Sequence, residues 1–218
     1  MDREVNGTTS LAKPSQSQAA LVVIRQAAGD WWDNWFALAT LGLVWLLASL
    51  TVVLIPPALF GLAYALRSIP QGEAPSVGDW WRGVRQYFGQ AWLLAFINLV
   101  LAVLFWTNIW FYGQIGTPLA EGLRWFFLPL TLIWLVIQFY AVPFLLEQER
   151  KHLGIALRNG FYLMLAAPLY TLIVGGVALG LLFLTLLLVA PLLLGVPALI
   201  LLLSSYAVTE RITAYQLR

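Results

Sequence analysis

The sequence predicts an all-α protein, a polytopic transmembrane helical bundle of six helices, and three observations carry that prediction. Hydrophobic residues make up 61% of the chain and charged residues 10%, with a mean hydropathy of +0.83, whereas a soluble domain carries roughly 25% charged residues. The apolar runs do not alternate with polar residues, which argues against a transmembrane β-barrel. Four uncharged gaps are each long enough for a helix of about 20 residues to cross the hydrocarbon core. They lie between Asp33 and Arg67, Arg85 and Glu121, Arg124 and Glu147, and Arg158 and Glu210.

Proline residues divide the longest gaps into helices. Pro56 and Pro57 lack backbone donors and favour a helix start, so the first gap is divided into a long first helix and a short second one. Pro191 divides the last gap in the same way. A loop rich in proline and glycine precedes the third helix, and an amphipathic helix over about 79–89 is expected to lie on the membrane surface there. The predicted transmembrane helices are about 32–54, 57–69, 90–112, 125–146, 162–189 and 192–208.

The ends of the chain are predicted to lie outside this single transmembrane domain, which spans about 21–210. The first residues are polar and lack the apolar segment of a signal peptide. Because such a segment cannot bury apolar surface, we interpret residues 1–20 as a disordered polar tail. Residues 211–218 are interpreted as a short C-terminal tail on the cytoplasmic side.

The positions of Lys and Arg favour an arrangement with both termini in the cytoplasm. If all six helices cross, every Lys and Arg except Arg124 lies on one side, as expected when basic residues are retained in the cytoplasm. If the second helix does not cross, five crossings remain and the basic residues divide more evenly. That helix, with about 13 residues, spans only about 20 Å. It therefore needs Arg67 to extend its side chain to the interface, a locally thin bilayer or a partly re-entrant path.

The tetrapeptide Gly-Asp-Trp-Trp occurs twice, from Gly29 and from Gly78. Asp30 and Asp79 are predicted to cap the helices that follow by accepting their first-turn amides, and Ser76 stands three residues before Asp79 as in a capping box. Tryptophan prefers the headgroup level, and arginine can contact anionic lipids at the inner surface. An aromatic cage for a sugar or cation is the less favoured interpretation. The predicted interfacial anchors are Trp31, Trp32, Trp35, Trp80, Trp81, Arg82, Arg85 and Trp92.

Neutral polar residues inside the uncharged gaps are predicted to hold helices together. Asn98, Asn108 and Gln138 are costly to expose to lipid and are expected to bond across helices; the alternative is that they line a polar path for a solute. Gly176 and Gly180 form a Gly-x-x-x-Gly pattern, which allows a second helix to approach closely, either within the protein or from a partner. The gaps contain none of the ionisable residues that ion-driven transporters use.

The sequence offers no motif for catalysis, for cofactor binding or for metal binding. It contains no phosphate-binding loop, zinc-protease motif or nucleophile elbow. Glu149 and His152 alone are too few for a metal site. The absence of cysteine excludes thiolate ligands and disulfides, and no basic cluster indicates a nucleic acid. We therefore expect a non-enzymatic protein whose partners are the lipid bilayer and other membrane subunits.

Four segments in chain order carry a family resemblance: GDWWDNWFALATLGLVWLLASL, TVVLIPPALFGLAYALRSI, PQGEAPSVGDWWRGVRQYFGQAW and IALRNGFYLMLAAPL. Together they resemble the YesL-like family of bacterial integral membrane proteins, a domain of unknown function, from about Arg25 to Ala207. The resemblance implies a helical protein of the bacterial inner membrane, associated with carbohydrate-utilisation genes and transporters, and it brings no catalytic residues. The doubled tryptophan from Trp80 departs from the family, where phenylalanine or a mixture is expected.

Three functional hypotheses follow. The favoured one is an accessory or structural subunit that packs against a larger complex, such as a carbohydrate transporter or an energy-converting assembly. The alternative is a small permease for a neutral, sugar-like solute; a hydrated cavity lined by Asn98, Asn108 and Gln138 would favour it, and a dry packed bundle would count against it. A third hypothesis is a membrane anchor that recruits a cytoplasmic enzyme through the N-terminal tail.

Overall fold

The computed structural model describes residues 15–188 and 195–216, which form helices and connecting loops with no strand among them. The all-α prediction is therefore confirmed. Short 3-10 helices, Val52–Leu54 and Leu66–Gln71, flank the third helix. The α-helices are α1 Gln16–Asp33, α2 Trp35–Ser49, α3 Ile55–Ala65, α4 Val77–Gln86, α5 Phe88–Ile115, α6 Pro118–Glu147, α7 Leu153–Ala166, α8 Pro168–Leu187 and α9 Val196–Gln216.

Five helical segments in the described part of the chain are long and apolar enough to cross a membrane. The fold is accordingly that of a multi-pass helical membrane protein. Helices α2 and α7 are also apolar but have only 15 and 14 residues, or about 22 Å at 1.5 Å per residue. The five segments are Val52–Gln71, Phe88–Ile115, Pro118–Glu147, Pro168–Thr185 and Val196–Tyr215.

The predicted bounds of the first two helices are wrong. A break at Asn34 separates α1 from α2, and the Asn34 side-chain amide donates to the Asp30 carbonyl at 2.9 Å. After α2 ends at Ser49, the Thr51 hydroxyl donates to the Ala48 carbonyl at 2.7 Å. These side chains compete with the backbone for helix carbonyls. The predicted long helix is consequently short, and the predicted short one belongs to the 20-residue segment from Val52.

Helix α1 begins inside the region predicted to be a disordered tail, so that boundary is also wrong. The Ser15 hydroxyl accepts the Gln18 amide at 3.3 Å, and the Gln18 side chain accepts the Ser15 amide at 2.9 Å, which makes a reciprocal capping box. Gln16 accepts the Tyr170 amide at 3.2 Å, satisfying a first-turn donor of α8. The remainder of the predicted tail, residues 1–14, lies outside the described residues.

The C-terminal half departs from the predicted bounds at a proline. Helix α7 ends at Ala166 and Pro168 begins α8, because the proline ring removes a backbone donor and favours the first helical position. Residues 211–216 continue α9 and are not the start of a tail. The predicted division near Pro191 lies outside the described residues, as do the last two residues of the chain.

The core of the protein is centred on α3. This helix packs against α2, α4 and α5, while α6 packs against α5 and α7, and α1 packs against α8 and α9. Bulky side chains that are almost fully buried fill the spaces between these helices. They include Phe60, Tyr87, Tyr140 and Tyr170.

Candidate functional site

In both Gly-Asp-Trp-Trp copies the first tryptophan turns inward and the second turns outward. The Trp31 indole N–H donates to the Gly195 carbonyl at 3.3 Å, and the Trp80 indole N–H donates to the Ala58 carbonyl at 3.1 Å. Trp80 is only 5% exposed, whereas Trp81 is 40% and Trp32 70% exposed. An indole combines a large apolar surface with one donor that needs a partner when buried. The repeated motif therefore attaches a helix to the backbone of a neighbouring segment.

The predicted caps are corrected by the structure. Asp30 lies inside α1 and accepts a hydrogen bond from the Tyr206 hydroxyl, so it joins α1 to α9 and caps no helix. Asp79 is the third residue of α4, whose N-cap is Ser76. The Ser76 hydroxyl accepts the Asp79 amide at 3.1 Å and donates to the Asp79 carboxylate. Local sequence indicated this box, whereas the prediction for Asp30 depended on the predicted helix start at about residue 32.

One of the predicted interfacial anchors is buried inside the protein, and others are exposed at its surface. Trp80 is wrong as an anchor because its ring is buried against α3. Arg82 is paired with Asp79, and the Arg85 guanidinium lies 4.9 Å from the centroid of the Trp81 ring. Trp92 is partly exposed while its indole donates to the Val53 carbonyl at 3.2 Å. For the exposed members, among them Trp32 and Trp35, a position at the headgroup level remains a prediction.

Two of the three predicted polar residues meet between α5 and α6. The Trp134 indole donates to the Asn98 side-chain carbonyl at 2.9 Å, and the Asn98 amide donates to the Gln138 side-chain carbonyl at 3.5 Å. Asn108 is not part of this group, since its amide donates to the Leu104 carbonyl of its own helix at 2.7 Å. The group therefore links two long helices by direct contacts, as expected for polar residues in an apolar bundle.

Close helix packing within the described part of the chain uses glycines other than Gly176 and Gly180, whose packing against a partner stays a prediction. A Cβ atom on Gly83 would lie 2.5 Å from the Tyr64 Cβ and 2.9 Å from the Gly61 Cα, so α3 and α4 cross in near-backbone contact. A Cβ on Gly176 or Gly180 would meet nothing within 4 Å among the described residues. The Gly-x-x-x-Gly pattern of α8 is thus open to the outside and is not used for packing in the described part of the chain.

A cluster of charged and aromatic residues joins the ends of α3 and α6 to the start of α5. The Arg67 Nε lies 3.6 Å from a Glu147 carboxylate oxygen. The Lys151 ammonium donates to the Leu146 carbonyl at 2.8 Å and lies 5.7 Å from the centroid of the Tyr87 ring. Burial raises the pKa of Tyr87, whose hydroxyl has no partner among the described residues. The sequence did not indicate this cluster, because its members are far apart along the chain.

Lys151 is expected to lose its proton at a lower pH than an ordinary lysine, whose pKa is 10.5. Burial has the largest effect and lowers the pKa, because it disfavours the charged form of the ammonium group. The positive charge of Arg67 lowers the pKa further, and the negative charge of Glu147 raises it. Reductive methylation with ¹³C-formaldehyde and NMR titration in a nonionic detergent would measure the value, with Lys13→Arg assigning the signals. Arg67→Gln should raise the pKa and Glu147→Gln should lower it. A Lys151 that titrates at 10.5 or above, or responds to neither variant, would contradict this description of the cluster.

Comparison with known proteins relates part of the chain to a family. Residues 38–109 match the model of a family described as "Protein of unknown function, DUF624". The match covers about a third of the chain, from α2 to most of α5, and includes the second Gly-Asp-Trp-Trp copy, the Gly61–Gly83 crossing and Asn98. No curated protein and no solved structure matches the chain.

Proposed function

We propose that this chain is a non-enzymatic accessory or structural subunit of a larger membrane complex in the bacterial inner membrane, of the YesL-like type. The observation that carries the proposal is the exposed glycine face of α8. Gly176 and Gly180 are one helical turn apart and therefore lie on the same face, and both are exposed. They are flanked by the exposed apolar side chains of Leu172, Leu179 and Phe183.

A face of this kind fits a transmembrane helix of a partner. Lipid tails are as apolar as leucine, so helices in a bilayer associate through close backbone approach at small residues and not through burial from water. Gly61 and Gly83 already make such an approach inside the protein. The same geometry on the outer surface of α8 is left for another chain, such as a carbohydrate transporter or an energy-converting assembly, as the YesL-like resemblance implies.

The contacts between α5 and α6 support this proposal over a permease for a neutral, sugar-like solute. A permease would need its amide groups to face a hydrated path. Asn98 and Gln138 instead contact each other, and Asn108 bonds to its own helix. A cavity lies between α6, α7 and α9, and none of these three residues lines it.

The distribution of basic residues supports an orientation in which the end of the bundle that holds Lys151 faces the cytoplasm. Arg67 and Lys151 approach Glu147 at the end of α6, and Arg82 and Arg85 lie on α4, which packs against α3. Arg124 stands near the other end of α6, which at 30 residues is about 45 Å long. Because basic residues are retained in the cytoplasm, the end that holds Lys151 is the cytoplasmic one.

Replacing both Gly176 and Gly180 by leucine is expected to detach the companion proteins. Overpacking costs roughly 1–3 kcal/mol, so the companions recovered after purification from the native membrane in mild detergent should fall about tenfold. Mass spectrometry of the purified protein measures the stoichiometry. Ala102→Leu, on the exposed side of α5, is the matched control and should keep the companions. Recovery of the wild type as a monomer without companions, or retention of companions by the double variant, would overturn the proposal.

A further inference from the structure

The last turns of α9 form one wall of a cavity that none of the features above uses. Its volume is about 470 Å³, within the roughly 300–1,000 Å³ of small-molecule sites. The wall from α6 contributes Phe144, the wall from α7 contributes Asn159, Tyr162 and Leu163, and the wall from α9 contributes Arg211 and Ile212. Most of this lining is apolar, with one guanidinium among it.

Arg211 is an unusual residue to find in such a place. It is only 9% exposed, and its guanidinium carbon lies 3.8 Å from the centroid of the Tyr170 ring. Its Nε lies 2.7 Å from a Glu210 carboxylate oxygen, but neither Nε nor Nη2 forms a hydrogen bond with the described residues. A guanidinium has five N–H donors, and leaving a buried donor unpaired is costly. The buried Nη2 of Arg211 therefore lacks an acceptor among the described residues.

A second basic residue lies close to Tyr162, one of the residues that line the cavity. The Arg158 guanidinium lies 6.0 Å from the centroid of the Tyr162 ring, and Arg158 forms no ion pair with the residues that the structure describes. Phe144 comes three residues before Glu147, and Arg211 lies near the end of a candidate span. Charged residues thus follow apolar ones on both helices, as expected for a cavity at the level of the lipid headgroups.

We propose that this cavity, the Arg211 groove, binds an anionic phospholipid. The phosphate accepts hydrogen bonds from Arg211 and is attracted by Arg158, and an acyl chain lies against Phe144, Leu163 and Ile212. Basic pockets between transmembrane helices at the cytoplasmic side bind anionic headgroups in this way. The apolar walls distinguish a lipid from a free anion, because inorganic phosphate would gain nothing from them.

The test uses the full chain in a nonionic detergent and measures thermal unfolding after addition of phosphatidylglycerol, phosphatidylcholine or inorganic phosphate. Phosphatidylglycerol is expected to raise the midpoint of the wild type by several degrees, whereas the other two additions should have little effect. Arg211→Gln removes a charged hydrogen-bond donor, so the concentration of phosphatidylglycerol needed should rise about tenfold. Native mass spectrometry counts the retained lipids in parallel.

Two further variants keep the test decisive if Arg211→Gln folds poorly. Ala166→Trp fills the groove from an exposed position that lines it and should abolish the response to phosphatidylglycerol. Arg124→Gln removes a guanidinium near the opposite end of α6 and should leave the response unchanged. Equal stabilisation by phosphatidylcholine or by inorganic phosphate, or an unchanged response of both Arg211→Gln and Ala166→Trp, would overturn the proposal.

Discussion

Replacing Gly83 by alanine is expected to destabilise the folded protein by about 1–2 kcal/mol, although alanine is the better helix former. The added methyl group would lie 2.5 Å from the Tyr64 Cβ and 2.9 Å from the Gly61 Cα. Neither atom can move away by side-chain rotation, so α3 and α4 must separate. Overpacking costs roughly 1–3 kcal/mol or more, and it has to exceed a gain of about 1 kcal/mol in helix propensity.

The change in the free energy of unfolding can be measured by denaturant titration in detergent, followed by circular dichroism. Gly122→Ala is the matched control, since Gly122 lies in α6 and a Cβ there meets nothing within 4 Å among the described residues. The control should be neutral or should raise the free energy of unfolding. If Gly83→Ala is as stable as Gly122→Ala, α3 and α4 do not cross in backbone contact.

The Gly61–Gly83 crossing also explains what the sequence could and could not predict. Composition and uncharged gaps were sufficient for the fold class, because they reflect the bilayer as a solvent. A Gly-x-x-x-Gly pattern within one helix is visible locally, whereas Gly61 and Gly83 belong to two helices and are separated by 22 positions. Their approach depends on how α4 folds back onto α3. Local spacing therefore indicated Gly176 and Gly180 and missed the pair that the fold uses.

The boundaries and caps show the same division between local and tertiary causes. The capping box at Ser15 and the helix start at Pro168 can both be predicted from neighbouring residues. They were missed because residues 1–20 were interpreted as a tail and the last gap was divided near Pro191. Asp30 is different. Its partner, Tyr206, lies on the last helix, so no neighbouring residue could indicate that Asp30 serves a tertiary contact. The α5–α6 contacts of Asn98 and Gln138 were expected in kind, since an amide in a bilayer needs a partner.

Replacing Trp80 by alanine is expected to have a larger effect than any other substitution considered for this protein, while Trp81→Ala should change little. Trp80 fills a space between α3 and α4 and donates to the Ala58 carbonyl. Removing a buried tryptophan side chain costs about 3–5 kcal/mol. Trp81 is 40% exposed, and its contact with Arg85 contributes about 0.5–1 kcal/mol at an exposed site. The free energy of unfolding in detergent measures both variants.

Two comparisons separate burial from a general effect of losing an indole. Trp80→Phe keeps an aromatic ring but removes the donor, and should cost less than Trp80→Ala. In the first copy, Trp31→Ala should destabilise the protein more than Trp32→Ala, because Trp31 bonds to Gly195 and Trp32 is 70% exposed. Equal effects within both pairs would mean that the tryptophans act together at the lipid surface. A larger effect of the first tryptophan in each copy would establish that the repeat is a repeated packing contact.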